Sequence, residues 1–208
     1  MSSIEIGRLL RSSTTGCVIG CRVSNIDAPA FGGMVRMDLD ELTQVFGIIY
    51  DIHIDDDGLV RQLITAEEIS QEIIDDNRAN RNVPVEISVL FLGYRRNGQI
   101  FHLMPPRPPL TLGKIYLCTA AEICSFTSAN QKRMGYFRHI LRDNTLPVGE
   151  LLSAHIQQVY QAQQETGDPG WIDSATREVI TLLRDDYPTL MQVLGALADS
   201  GLYRQPLN

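Results

Sequence analysis

The densest set of chemically capable side chains is His53-Ile54-Asp55-Asp56-Asp57-Gly58. Clustered carboxylates bind hard divalent cations, and Asp55, Asp56 and Asp57 with His53 would suit a metal-dependent hydrolase. A dedicated calcium loop needs alternating ligands and a distal Glu, and this pattern has neither. The alternative is a solvated hairpin turn, which three Asp and a Gly also favour. A second polar cluster, Ser12-Ser13-Thr14-Thr15-Gly16, offers hydroxyls and turn amides that can cradle a phosphate, or forms a hairpin tip. Arg95-Arg96 at another turn could meet a phosphate or an acidic partner.

The clearest charge feature is Lys132, Arg133, Arg138 and Arg142, with His139 among them and no acid between 130 and 142. On one helix these cations would face DNA or an acidic protein surface, or simply water. Tyr136 and Phe137 beside them read as packing residues. The cysteines Cys17 and Cys21, and Cys118 and Cys124, share strand parity within each pair, but neither spacing matches a zinc knuckle. Buried free thiols are expected. No P-loop, GxSxG, HExxH or dinucleotide-binding glycine pattern occurs. The chain is therefore expected to have no catalytic residues and to need no cofactor.

The background for these clusters is a chain of 208 residues with 44% hydrophobic and 21% charged side chains. That is enough apolar matter for a real core. The net charge of -7 excludes a surface built to coat nucleic acid throughout. No apolar run is long enough to cross a membrane, and the N-terminus lacks the basic and apolar regions of a signal peptide. A cytoplasmic protein with no membrane contact is expected.

Positioning falls to two kinds of element. Up to about residue 127 the sequence reads as short strands: Ile4–Leu10, Cys17–Val23, Met34–Leu39, Gln44–Ile54 (the longest), Val83–Tyr94, Gln99–Leu103 and Gly113–Cys118. Asn97-Gly98 predicts a tight primed hairpin turn. Gly20 and Gly47 interrupt their strands, as barrel curvature requires. Leu59–Ile64 is expected to complete a hairpin with Gln44–Ile54. Thr65, Glu68 and the stripe Ile69, Ile73, Ile74 predict one inserted helix over about 66–79. The proline run Met104–Leu110 excludes helix and sheet interior. Ala120–Phe126 is a short terminal element. The rest predicts helices over 130–143 and about 147–165, a third capped by Asp173 or Ser174 and running to Asp186, and a fourth over 189–198 after an interruption at Tyr187-Pro188. The expected fold is α+β: a small closed barrel of six to seven strands over 1–127, then a helical extension over 128–208. A thin bundle of this size leaves apolar surface for a partner or a second copy.

Several of these segments together have a familiar order. Ile6-Gly7-Arg8-Leu9-Leu10 precedes Ser12-Ser13-Thr14-Thr15. Gln44-Val45-Phe46-Gly47-Ile48-Ile49 lies in the middle. Pro105-Pro106-Arg107-Pro108-Pro109-Leu110, then Gly113-Lys114-Ile115-Tyr116, then Ala121-Glu122-Ile123, close the series. Over roughly residues 3–126 this resembles the HAS barrel, the small β-barrel shared by HerA-type DNA-translocating ATPases and the crowns of rotary ATP synthase subunits. The resemblance implies barrels side by side in a ring, holding subunits together and helping to dock a NurA-like nuclease. In HerA a P-loop ATPase follows the barrel; here about 80 helical residues follow instead. The expectation is a non-catalytic docking barrel that self-assembles, or caps a HerA-like motor in DNA processing or repair. Its alternatives are an accessory factor of a rotary ATP synthase, the metal-dependent hydrolase above, or a ligand or nucleic-acid sensor. Any DNA contact would run through the 130–142 helix.

Overall fold

In the computed structural model, residues 4–23, 29–54, 83–129, 133–143 and 145–202 are described. The expected Asp55–Gly58 turn, its hairpin return and the inserted helix over 66–79 lie outside them. The strands are β1 (Glu5–Ser12), β2 (Gly16–Val23), β3 (Met34–Asp40), β4 (Thr43–Ile54), β5 (Val83–Arg96), β6 (Gln99–Phe101) and β7 (Lys114–Leu117). The 14-residue β5, not the 12-residue β4, is the longest. They pair antiparallel in the order β2-β1-β7-β3-β4-β5-β6, and β2 also pairs with β5. Six strands therefore close into a barrel, and β6 extends β5 as a hairpin outside the ring. Asn97 and Gly98 take φ values of 51° and 80°, the left-handed pair that a two-residue primed turn needs.

Pleating divides β3, β4 and β5 between two cores. Val35, Met37, Val45, Ile49, Val89 and Phe91 join Leu9, Cys17, Ile19, Cys21, Val85, Ile87 and Ile115 inside the barrel. Their neighbours Met34, Phe46, Ile48, Leu90 and Leu92 point outward and are just as buried, under a layer of helices. Burial on both faces is why β4 and β5 read as near-continuous apolar runs. The β4–β5 register slips beside Gly47 and again after Ile49, which bends both strands around the barrel. A Cβ at Gly47 would run into the Val89 side chain and lie 2.9 Å from the Leu90 carbonyl oxygen.

The helical layer holds α1 (Ala120–Thr127), α2 (Phe137–Leu141), α3 (Val148–Thr166), α4 (Trp171–Leu182) and α5 (Tyr187–Asp199). The short element after β7 is thus a helix that leaves the barrel wall: Thr119 and Glu122 form its capping box, and Phe126 packs on Phe46 with ring centroids 4.9 Å apart. Where one helix was expected over 130–143, the described residues form only the five-residue α2. Met134, Gly135 and Tyr136 precede it as a turn, and Phe137 N–H bonds to the Met134 carbonyl at 2.9 Å. α4 begins at Trp171, ahead of the expected Asp173 or Ser174 cap, and ends at Leu182. Tyr187-Pro188 does not interrupt a helix; it starts α5. Asp186 caps it by accepting from Thr189 N–H at 3.2 Å, and Pro188 occupies the first turn, where a missing N–H costs nothing. No helix among the described residues is long and apolar enough to cross a membrane.

Candidate functional site

The side chains singled out above end in different places. Asp55, Asp56, Asp57 and Lys132 lie outside the described residues, and His53 is exposed near the end of β4. Arg133 and Arg142 are exposed, but Arg138 turns inward and donates to the His102 carbonyl. His139 is buried, with Nε2 3.2 Å from that same carbonyl. The 133–142 cations therefore do not share one solvent face, because α2 is too short to align them. Arg95 lies over the Phe46 ring at 5.9 Å and donates to Gln44 Oε1, while Arg96 stays exposed at the hairpin tip. Among the described residues no group of three His, Cys, Asp or Glu could hold a metal ion. The four cysteines are free thiols; burial raises Cys17, inside the barrel, to about 12.

The polar turn Ser12–Gly16, between β1 and β2, lines a surface groove of about 330 Å³ together with Arg11, Tyr50 and Asp143. Its donors are largely committed. Ser13 Oγ accepts from Thr15 and Gly16 N–H, both at 3.2 Å, so these amides are turned into their own loop rather than toward a ligand. Ser12 Oγ donates to the Pro109 carbonyl at 2.5 Å, and Arg11 pairs with Glu86 at 3.2 Å. Thr145 holds the Asp143 carboxyl below its usual range through side-chain and backbone hydrogen bonds.

What the Ser12–Pro109 bond does is tie motif segments of the sequence to each other. β1 pairs with β7, Leu9 N–H bonds the Gly113 carbonyl at 3.0 Å, and Leu112 N–H bonds the Leu9 carbonyl at 2.8 Å. Arg8 closes the clasp by donating to the Leu112 carbonyl at 3.2 Å. Leu112 is held at φ 65°, a left-handed conformation costing a side-chain-bearing residue about 1–2 kcal/mol. This geometry leaves Leu110 81% and Leu112 70% exposed, with Leu10 46% exposed nearby on β1. Arg8 and Lys114 flank them, sharing Glu5 at 3.8 and 2.9 Å. The sequence marked these segments; it did not show that they would converge or present leucines to solvent.

The second polar assembly lies in the seam between barrel and helices, and spacing alone did not reveal it. His155, on α3, is fully buried. Its Nε2 is 3.1 Å from the Tyr136 hydroxyl and its Nδ1 is 3.4 Å from the Gly32 carbonyl. Gly32 has φ 81°, and a Cβ there would lie 2.8 Å from the Ala154 Cβ, so α3 seats directly on its backbone. His102 Nε2 meets the Phe126 carbonyl at 2.9 Å, and its ring packs edge-on against Tyr136. Burial lowers the pKa of all three seam histidines and carries His155 down to about 4. On the far edge of the seam, Arg36 pairs with Glu122 at 2.6 Å and lies over Tyr116 at 4.8 Å.

Compared with known proteins, the chain matches no family model and no curated sequence.

Proposed function

We propose that this chain is a docking barrel of the HAS type that works without catalysis of its own, binding or capping a HerA-like DNA-translocating ATPase, with or without a NurA-like nuclease, in DNA processing. One observation carries the reading. The segments Ile6–Leu10, Ser12–Thr15, Pro105–Leu110 and Gly113–Tyr116, which bear the resemblance, meet in one hydrogen-bonded clasp on one side of the six-stranded barrel. That clasp spends conformational energy at Leu112 while turning Leu110 and Leu112 outward. Exposed apolar side chains grouped beside cations suit a protein partner better than a small substrate.

The test is co-expression of the tagged chain with the HerA-type ATPase of the same genome, followed by mass measurement in solution. The expected result is co-elution with the ATPase, or a ring of several copies. A lone chain of 23.3 kDa plus its tag, in the presence of the ATPase, would overturn the reading.

A further inference from the structure

Three of the chain's four histidines lie in the seam between the barrel and the helical layer. His155 shows how the seam depends on neutral imidazole. Its Nδ1–H donates to the Gly32 carbonyl in the loop before β3, and its Nε2 accepts from the Tyr136 hydroxyl. The rings of Tyr136 and Phe137 stand edge-on to it. A proton on Nε2 would force the Tyr136 hydroxyl, itself fully buried, to turn its own hydrogen away. His139 Nε2 meets the His102 carbonyl from α2, a carbonyl that Arg138 also occupies. Among the described residues, Arg138 and Arg142 bear on His139 and Arg138 bears on His102, cations that oppose a further positive charge. The barrel interior differs: among the described residues its core is aliphatic, aromatic or sulfur-bearing.

We infer that the attachment of the helical layer to the barrel is an acid-operated latch, in which protonation of His155 and His139 detaches the layer while the barrel stays closed. Release would uncover Met34, Phe46, Ile48, Leu90 and Leu92 on the outside of β3, β4 and β5, a new apolar surface. This inference is independent of the docking clasp.

The sign follows from which state takes up the proton. The seam lowers His155 from 6.5 to about 4, so the detached state binds a proton that the attached state refuses. Attachment is complete above about pH 6.5 and weakens as pH falls toward 4. Over that window His155 alone shifts the equilibrium about 80-fold.

The chain supplies its own probe, because the single tryptophan, Trp171, is buried at the start of α4. The experiment follows Trp171 emission and amide hydrogen exchange of the full chain from pH 7.5 to 4. The expected result is a red shift of Trp171 and loss of α3 protection between pH 6.5 and 4, while amides of β2 and β5 stay protected. His155→Gln and His139→Gln should each weaken the acid step, and His53→Gln, at an exposed position, should leave it in place. Loss of helical and barrel protection at one common midpoint would overturn the latch. So would full protection of α3 down to pH 4, or an acid step unmoved in whichever seam variants fold. The wild-type scan decides the matter if neither variant folds.

Discussion

The barrel interior and the barrel–helix seam are built from alternate residues of the same three strands, yet they are different materials. Inside, Val35, Val45, Ile49 and Val89 meet Cys17, Cys21 and Met37, groups with no charge to change near neutral pH. Outside, Phe46 and Leu92 meet Phe126, Tyr136 and three histidines, whose rings carry polar handles that must be satisfied. The interior is held by a closed ladder of backbone bonds and gives up nothing to acid. The seam trades part of that constancy for directional contacts such as His155 to Gly32. One pleated strand can thus place a permanent core on one face and a conditional one on the other.

The largest test of this contrast is truncation on each side. Phe91→Ala inside and Phe46→Ala in the seam should each cost about 3–5 kcal/mol in urea unfolding. Phe91→Ala should weaken protection throughout the barrel, whereas Phe46→Ala should weaken α1 and α3 first in hydrogen exchange. Identical exchange patterns would erase the distinction between the two cores. Next comes acidity. Wild-type attachment should lose about 3 kcal/mol between pH 7 and pH 4 through His155. His155→Gln should begin less stable at pH 7 but lose less on acidification; a parallel pH profile would break the assignment. Glu122→Ala removes both the α1 capping box and the Arg36 ion pair, and should lower stability by about 1–2 kcal/mol, measured by thermal unfolding. An unchanged midpoint would show that the ion pair and cap add nothing net. The smallest effect belongs to Trp171→Phe. The Trp171 indole N–H is buried without a hydrogen-bond partner among the described residues, so removing it should change stability by less than about 1 kcal/mol.

The sequence made the barrel legible because its strands are short, glycine-broken and separated by turn residues with fixed demands, Asn97-Gly98 above all. It did not reveal two cores, since a strand buried on both faces looks like any apolar run. Pro188 was misleading because a proline that opens a helix and one that breaks it look alike without the Asp186 cap in view. The cations from Lys132 to Arg142, with no acid among them, suggested a basic helix. Yet the turn at Gly135 and the pull of the His102 carbonyl on Arg138 divide that set. His155 carries no local signal of its role. Its partners Gly32 and Tyr136 lie 123 and 19 residues away, and no local spacing encodes such a contact. The clasp was half visible: its segments stood out in the sequence, but the outward leucines depend on the left-handed turn at Leu112.

The docking role is tested most directly by comparing the wild-type chain with a Leu110→Asp, Leu112→Asp double variant for binding to the HerA-type ATPase, with Trp171 emission confirming that both are folded. The account predicts a stable complex for the wild type and at least a tenfold loss of affinity for the variant, about 1.4 kcal/mol or more. Equal binding by both chains, or no binding by either, would contradict it.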